Sequence, residues 1–154
     1  MKLKYLTKNP SQSKKLGELL AKRFLKKRKQ KRALILGLKG ELGGGKTTFL
    51  QGFAKGLGIK EKITSPTFVI MKKFRISTKT HNLKPKTFVH IDCYRIEKPK
   101  EILDLGFKEI ISDSQNLIAI EWAEKIRKIM PQNTIWLKFD FLDKNKRKIT
   151  IKNG

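Results

Sequence analysis

Cysteine is nearly absent from this chain of 154 residues, in which Cys93 stands alone. A single thiol excludes an internal disulfide and a multi-cysteine zinc site. Long apolar runs are missing too. No stretch approaches the ~20 apolar residues of a membrane-crossing helix, and Met1-Lys2-Leu3-Lys4-Tyr5 lacks the apolar core of a signal peptide. No membrane partner is therefore expected, and the cytoplasm is the expected compartment. Acids are scarce: 13 Asp and Glu face 37 Lys and Arg, a formal net charge of +24. An excess of this size attracts nucleic acid or an acidic protein, or it reflects lysines spread over solvated faces. Only Lys26 to Arg32 forms a dense basic block, and no RNA-binding aromatic signature accompanies it. Repeats and low-complexity tracts are lacking as well, so residues 1–154 are read as a single domain.

What is present is concentrated in one motif. Gly40-Glu41-Leu42-Gly43-Gly44-Gly45-Lys46-Thr47 is a complete G-x-x-x-x-G-K-[ST] phosphate-binding loop. Glycine permits positive φ and lets backbone amides approach a phosphate with no Cβ in the way. Those amides and the N-terminus of the following helix make a positively polarised nest. Lys46 would reach the outer phosphates of a nucleoside triphosphate, and the Thr47 hydroxyl would ligate Mg²⁺. The surroundings agree with the motif. Ala33-Leu34-Ile35-Leu36 reads as a buried strand, and Phe49, Phe53 and Leu57 recur at helical spacing before Gly58.

Elsewhere, Leu3 and Tyr5 alternate with lysines as in an edge strand. Asn9-Pro10-Ser11 opens a helix whose Leu16, Leu19, Leu20 and Phe24 share a face. Ile63 to Ile70 reads as a polar loop leading into a strand that Lys73 to Ile76 continues, and Ser77 to Lys86 as a turn. Thr87 to Asp92 is a strand, Pro99 opens a short helical region through Gly106, and Leu117 to Glu121 is a central strand. Ala123 to Met130 reads as a brief helix. Thr134 to Phe141 and Lys148 to Ile151 read as a terminal hairpin. The expected fold is α/β, a P-loop NTPase-like arrangement of three layers with a central mixed β-sheet flanked by helices.

A phosphate loop needs an acid near the metal and a group that positions the attacking oxygen. Asp92 and Glu121 both end apolar strands, where ligands of such sheets gather. Leu-Ile-Ala-Ile-Glu is like a Walker B strand with glutamate as its acid. Ser65-Pro66-Thr67 offers hydroxyls to a γ-phosphate or to Mg²⁺, as switch loops do, and equally suits a turn into a strand. His90 is a general base or a hydrogen-bonded structural residue. Trp122 packs the site, a partner or the core. Arg95, just past Asp92, holds that carboxylate or meets phosphate. Cys93 has no partner pattern around it and is read as inert.

Taken in order, residues 40 to 49, Ser65-Pro66-Thr67-Phe68, His90-Ile91-Asp92-Cys93-Tyr94-Arg95 and Ile120-Glu121-Trp122 resemble the TsaE family, formerly YjeE. Leu16-Gly17, Leu105-Gly106-Phe107 and Pro131 extend the resemblance over nearly the whole chain. It implies the ATPase component of bacterial tRNA threonylcarbamoyladenosine synthesis, a modification of the adenosine after the anticodon in tRNAs reading codons that begin with A. The resemblance further implies ATP and Mg²⁺ as cofactors and docking on the TsaB–TsaD heterodimer. tRNA would be reached indirectly, through that complex. Hydrolysis would reset the complex, and the transfer of the threonylcarbamoyl group would not be this protein's own reaction. By the same resemblance Glu41, Gly43, Gly44, Gly45, Lys46, Thr47 and Thr48 hold the nucleotide, and Thr47 and Glu121 hold Mg²⁺. Asp92 matches the acid of a histidine-x-aspartate motif important for activity. Thr64, Ser65 and Thr67 match a switch-like segment, and Trp122 a tryptophan beside the metal acid. Asn9 aligns with a nucleotide-edge position, and Arg147 with a residue closing over the nucleotide. Glu41 replaces the family's usual aspartate, and Gly44 a common alanine. The alternatives are a small P-loop kinase, for which no arginine-bearing lid is evident, and a nucleotide-gated tRNA-binding module. A GTPase is disfavoured, because Asn-Lys-x-Asp and Asp-x-x-Gly are both missing.

Overall fold

Short β-branched and aliphatic runs separated by glycine, proline and lysine clusters give short strands, and here they build one sheet. A computed structural model describes residues 2–26, 31–65, 70–77 and 85–154. Among these residues the strands are β1 (Lys2–Thr7), β2 (Leu34–Lys39), β3 (Met71–Arg75), β4 (Thr87–Asp92), β5 (Asn116–Glu121), β6 (Ile135–Phe141) and β7 (Arg147–Asn153). They lie in the order β1-β7-β6-β2-β5-β4-β3. The pairs β2–β5, β2–β6 and β4–β5 are parallel, whereas β1–β7, β6–β7 and β3–β4 are antiparallel. The sheet is therefore mixed, with a parallel centre and antiparallel edges.

The central strands are apolar on both faces because both faces are covered. Leu34, Leu36 and Leu38 of β2, with Leu117 and Ala119 of β5, face helices α1 (Pro10–Lys26) and α2 (Lys46–Gly56). Ile35, Ile118, Ile120, Val89 and Ile91 point the other way, under α3 (Lys100–Leu103), α4 (Phe107–Ser112) and the 3₁₀ turns of Ala123–Ile129. Three layers result, as the α/β expectation requires. Asn9 starts α1 by accepting the Gln12 N–H at 2.8 Å, a standard N-cap. α2 ends in a Schellman motif. Gly58, at φ 75°, donates to Lys55 O, and Ile59 donates to Ala54 O.

Some boundaries differ from the sequence reading. The helical region opened by Pro99 breaks at Gly106, which takes φ 82°, and a further helix, α4, follows with Phe107 and Ile110 buried. The brief helix expected from Ala123 winds as 3₁₀ turns over Ala123–Ile129, with a non-helical Ile126. β3 begins at Met71; residues 66–69 of the expected strand, most of the expected turn at 78–84, and 27–30 of the basic block lie outside the described residues. No helix among the described residues is long and apolar enough to cross a membrane.

Candidate active site

The site is assembled at the carboxyl ends of β2, β4 and β5. β2 delivers the chain to the loop, where Gly40, Gly43 and Gly45 take φ of 144°, 75° and 92°. An L side chain would be strained at each of these angles. A Cβ on Gly40 would also press into the Phe139 backbone, so β6 backs the loop directly. Gly44 keeps an ordinary φ and donates its N–H to Glu41 O at 3.0 Å. α2 starts at Lys46 with no side chain capping it, which leaves the N–H groups of its first turn, around Thr47 and Thr48, free to meet an anion.

Lys46 is 5% exposed, and its ammonium donates to the carbonyls of Gly40 and Glu41. Its Nζ also lies 4.1 Å from the centroid of the Trp122 ring. Burial holds its pKa below the ordinary lysine range, while the carboxylates of Glu121, Glu124 and Asp92 pull it back up. A phosphate arriving beside it would supply the missing counter-charge. The ring is held over the lysine by backbone. Trp122 has φ 57°, the single positive φ of a non-glycine among the described residues, a conformation costing about 1–3 kcal/mol. That turn, directly after Glu121, bends the chain back across the loop, and Tyr94 packs on the indole with centroids 5.1 Å apart.

Glu121, 2% exposed, is bound at both oxygens. Thr47 Oγ1 donates to Oε1 at 2.8 Å, and His90 Nε2 donates to Oε2 at 2.7 Å. His90 is thus a positioning partner of Glu121, the structural of its two alternatives. Asp92 stands opposite Glu121 across the parallel pair β4–β5. Its oxygens accept from Ser65 Oγ at 2.7 Å and from the Tyr94 N–H at 2.9 Å. The polar loop at Ser65 is thereby brought to the strand-end acid. Thr64 is exposed next to it, and Thr67 lies outside the described residues.

Arg147 comes from the far hairpin. Its Nη2 donates to Gly43 O at 3.0 Å, its Nη1 to Asp143 O at 2.7 Å, and its guanidinium stacks on Phe141. Its Nε is buried without an acceptor, a donor left over beside the phosphate loop. Because Thr7 pairs with Arg147 across β1–β7, Asn9 two residues on belongs to the same rim. The Asn9 carboxamide oxygen is already engaged by the α1 cap. Cys93 is buried, and burial with the neighbouring Asp92 charge pushes its thiol up to about 12, so it holds its proton at neutral pH.

These donors suit Mg²⁺. The Thr47 hydroxyl spends its proton on Glu121, so its oxygen lone pairs remain a hard donor beside a carboxylate. One or two protein oxygens, completed by water and phosphate, are the usual magnesium set. Among the described residues no group of three or more His, Cys, Asp or Glu forms a closed metal cage.

Known proteins resemble the chain over most of its length. The family model described as TsaE, threonylcarbamoyl adenosine biosynthesis protein, matches residues 7–149. A tRNA threonylcarbamoyladenosine biosynthesis protein TsaE of Bacillus subtilis (strain 168) is 36% identical over 149 residues, covering 97% of this chain and 84% of the relative. A protein of the same name from Rickettsia felis is 38% identical over 144 residues, covering 93% of this chain and 75% of the relative. The crystal structure of Bacillus subtilis YdiB superposes with a TM-score of 0.71 at 30% identity, over 99% of this chain and 86% of that one.

Proposed function

The chain belongs to the TsaE family, and from that premise we propose that it binds and hydrolyses Mg²⁺-ATP as an accessory subunit in tRNA threonylcarbamoyladenosine formation. The single observation that carries the hydrolytic reading is the 2.8 Å bond from Thr47 to Glu121, which ties the phosphate loop to the end of β5. In this reading the whole chain acts as one ATPase domain in the cytoplasm, with the TsaB–TsaD heterodimer as partner and tRNA as the substrate of the complex.

Each residue then has a task. Gly43, Gly44, Gly45 and Thr48 present backbone to the phosphates, while Glu41 supplies a carbonyl that parks the Lys46 ammonium until phosphate replaces it. Thr47 and Glu121 would hold Mg²⁺. When bound, the ion neutralises charge developing on the transferred phosphoryl group. Asp92, held by Ser65, orients the attacking water from the side of the switch-like loop that includes Thr64 and Thr67. Trp122 keeps Lys46 in line. Arg147 offers its unpaired Nε to a phosphate oxygen, and Asn9 borders the nucleotide edge.

The test is ATP turnover and tRNA modification measured with and without TsaB–TsaD. Slow turnover alone, raised by the partners and abolished in Lys46→Ala, is the expected result. Rapid turnover indifferent to the partners, or near-normal turnover in Lys46→Ala, would overturn the reading.

A further inference from the structure

Strand alternation gives β1, β7 and β6 one apolar face and one face with a different character. Leu3, Tyr5, Ile149, Ile151, Leu137 and Phe139 pack toward α1 and α2. The opposite face carries lysine at β1 and β7. Strand register arranges these lysines in rows. Lys2 stands opposite Lys152, and Lys39 opposite Lys138. Lys4 and Lys148 lie on the same face, and Arg127 from the 3₁₀ turns walls one side with its guanidinium 5.7 Å from the Trp136 ring. Among the described residues this groove, of about 400 Å³, is lined by seven cations and one carboxylate, Asp140. Asp140 is already shared between Lys138 at 3.0 Å and Lys148 at 3.7 Å.

Like charges directly opposite in a sheet are destabilising. A face that keeps them suits a polyanion. Two polyanions come into question, a phosphate backbone and an acidic protein surface. Protein interfaces are depleted of lysine at their centres and built on apolar and aromatic anchors. This groove is lined mainly by cations, with Trp136 as its one aromatic among the described residues. Same-face residues recur at about 6.8 Å along a strand, with strands about 4.8 Å apart, so the cations form a lattice and not a point site. Phosphate contacts of that kind position a nucleic acid without reading its sequence.

We propose that the open face of β1, β7 and β6 binds the phosphate backbone of folded RNA. The cationic lattice stands on geometry alone; the choice of RNA among nucleic acids rests on the role in tRNA modification proposed above. The face adjoins the nucleotide site, because Lys39 and Lys138 also border the cavity beside Gly40 and Glu41.

The test is binding of an unmodified tRNA transcript to the full chain, with neither nucleotide nor partner proteins, between about 50 and 200 mM salt. The triple variant Lys2→Gln, Lys4→Gln, Lys152→Gln is compared with a control of equal charge, Lys15→Gln, Lys100→Gln, Lys108→Gln, on the helical faces. The groove variant is expected to bind at least tenfold more weakly, with the slope of log affinity against log salt reduced by about 2, and the control within twofold of wild type. Its thermal stability should hold or rise as cross-strand repulsion is relieved, which separates lost binding from lost folding. Equal losses in both variants, no tRNA binding at all, or displacement of tRNA by polyglutamate more readily than by a second tRNA would each overturn the proposal. Duplex DNA that binds as tightly as tRNA would overturn the assignment to RNA. Partner-stimulated ATP turnover is read separately, so failure of the ATPase reading and failure of this face cannot be confused.

Discussion

Glu121 is a buried carboxylate with both oxygens committed, one to Thr47 and one to His90. Removing His90 would free one oxygen to turn away from the metal position. Residues that orient a ligand in this way typically change metal affinity or activity by about 10–100-fold. His90→Leu should therefore raise the Mg²⁺ concentration for half-maximal ATP hydrolysis by roughly tenfold or more, and His90→Gln, which keeps an N–H donor, should recover most of it. An unchanged Mg²⁺ requirement in His90→Leu would remove the positioning role. At this scale the acids were legible in the sequence because each ends an apolar run. The His90–Glu121 contact was not, since it depends on the register of β4 against β5, which places Asp92 opposite Glu121 and His90 one step diagonal to it. The turned-back Trp122 was equally hidden, because nothing local distinguishes a tryptophan that takes positive φ.

Among the elements, α1 and α2 pack closely through their glycines. A Cβ on Gly52 would fall inside the backbone of Lys14 in α1. Helix propensity alone favours alanine by about 1 kcal/mol. Overpacking costs about 1–3 kcal/mol, and here the obstacle is backbone, which cannot rotate aside. The clash wins. Gly52→Ala should lose about 2 kcal/mol and melt about 4–8 °C lower, as followed by thermal denaturation; a higher melting temperature would mean that the helices separate freely. The long elements were readable from periodicity, β2, β4, β5 and α1 most clearly. α4 was not, because its six residues offer less than two turns of pattern. The brief helix after Trp122 was legible, but its 3₁₀ winding was not, because Ala123, Ile126 and Ile129 fit the period of either helix.

The whole molecule carries an excess of 24 positive charges. Such self-repulsion opposes the compact state, and its reach shrinks from about 30 Å at 0.01 M salt to about 8 Å at 0.15 M. The melting temperature should therefore rise by several degrees between these concentrations of sodium chloride, with about 2–4 °C for each kcal/mol regained. A flat profile would show that the lysines are already balanced at short range. Composition revealed the charge but not its location. Strand alternation becomes a cationic face only once β1 is known to lie beside β7, a pairing between strands at opposite ends of the order of synthesis. That pairing has a consequence in time. A nascent chain elongates at about 5–20 residues per second, and throughout that interval the β1 segment, made early, has no strand to join. Arg147, the first residue of β7, is also the side chain that grips Gly43. The grip on the phosphate loop therefore cannot close until the 104 residues that follow Gly43 have been made, so the loop is synthesised well before the side chain that holds it.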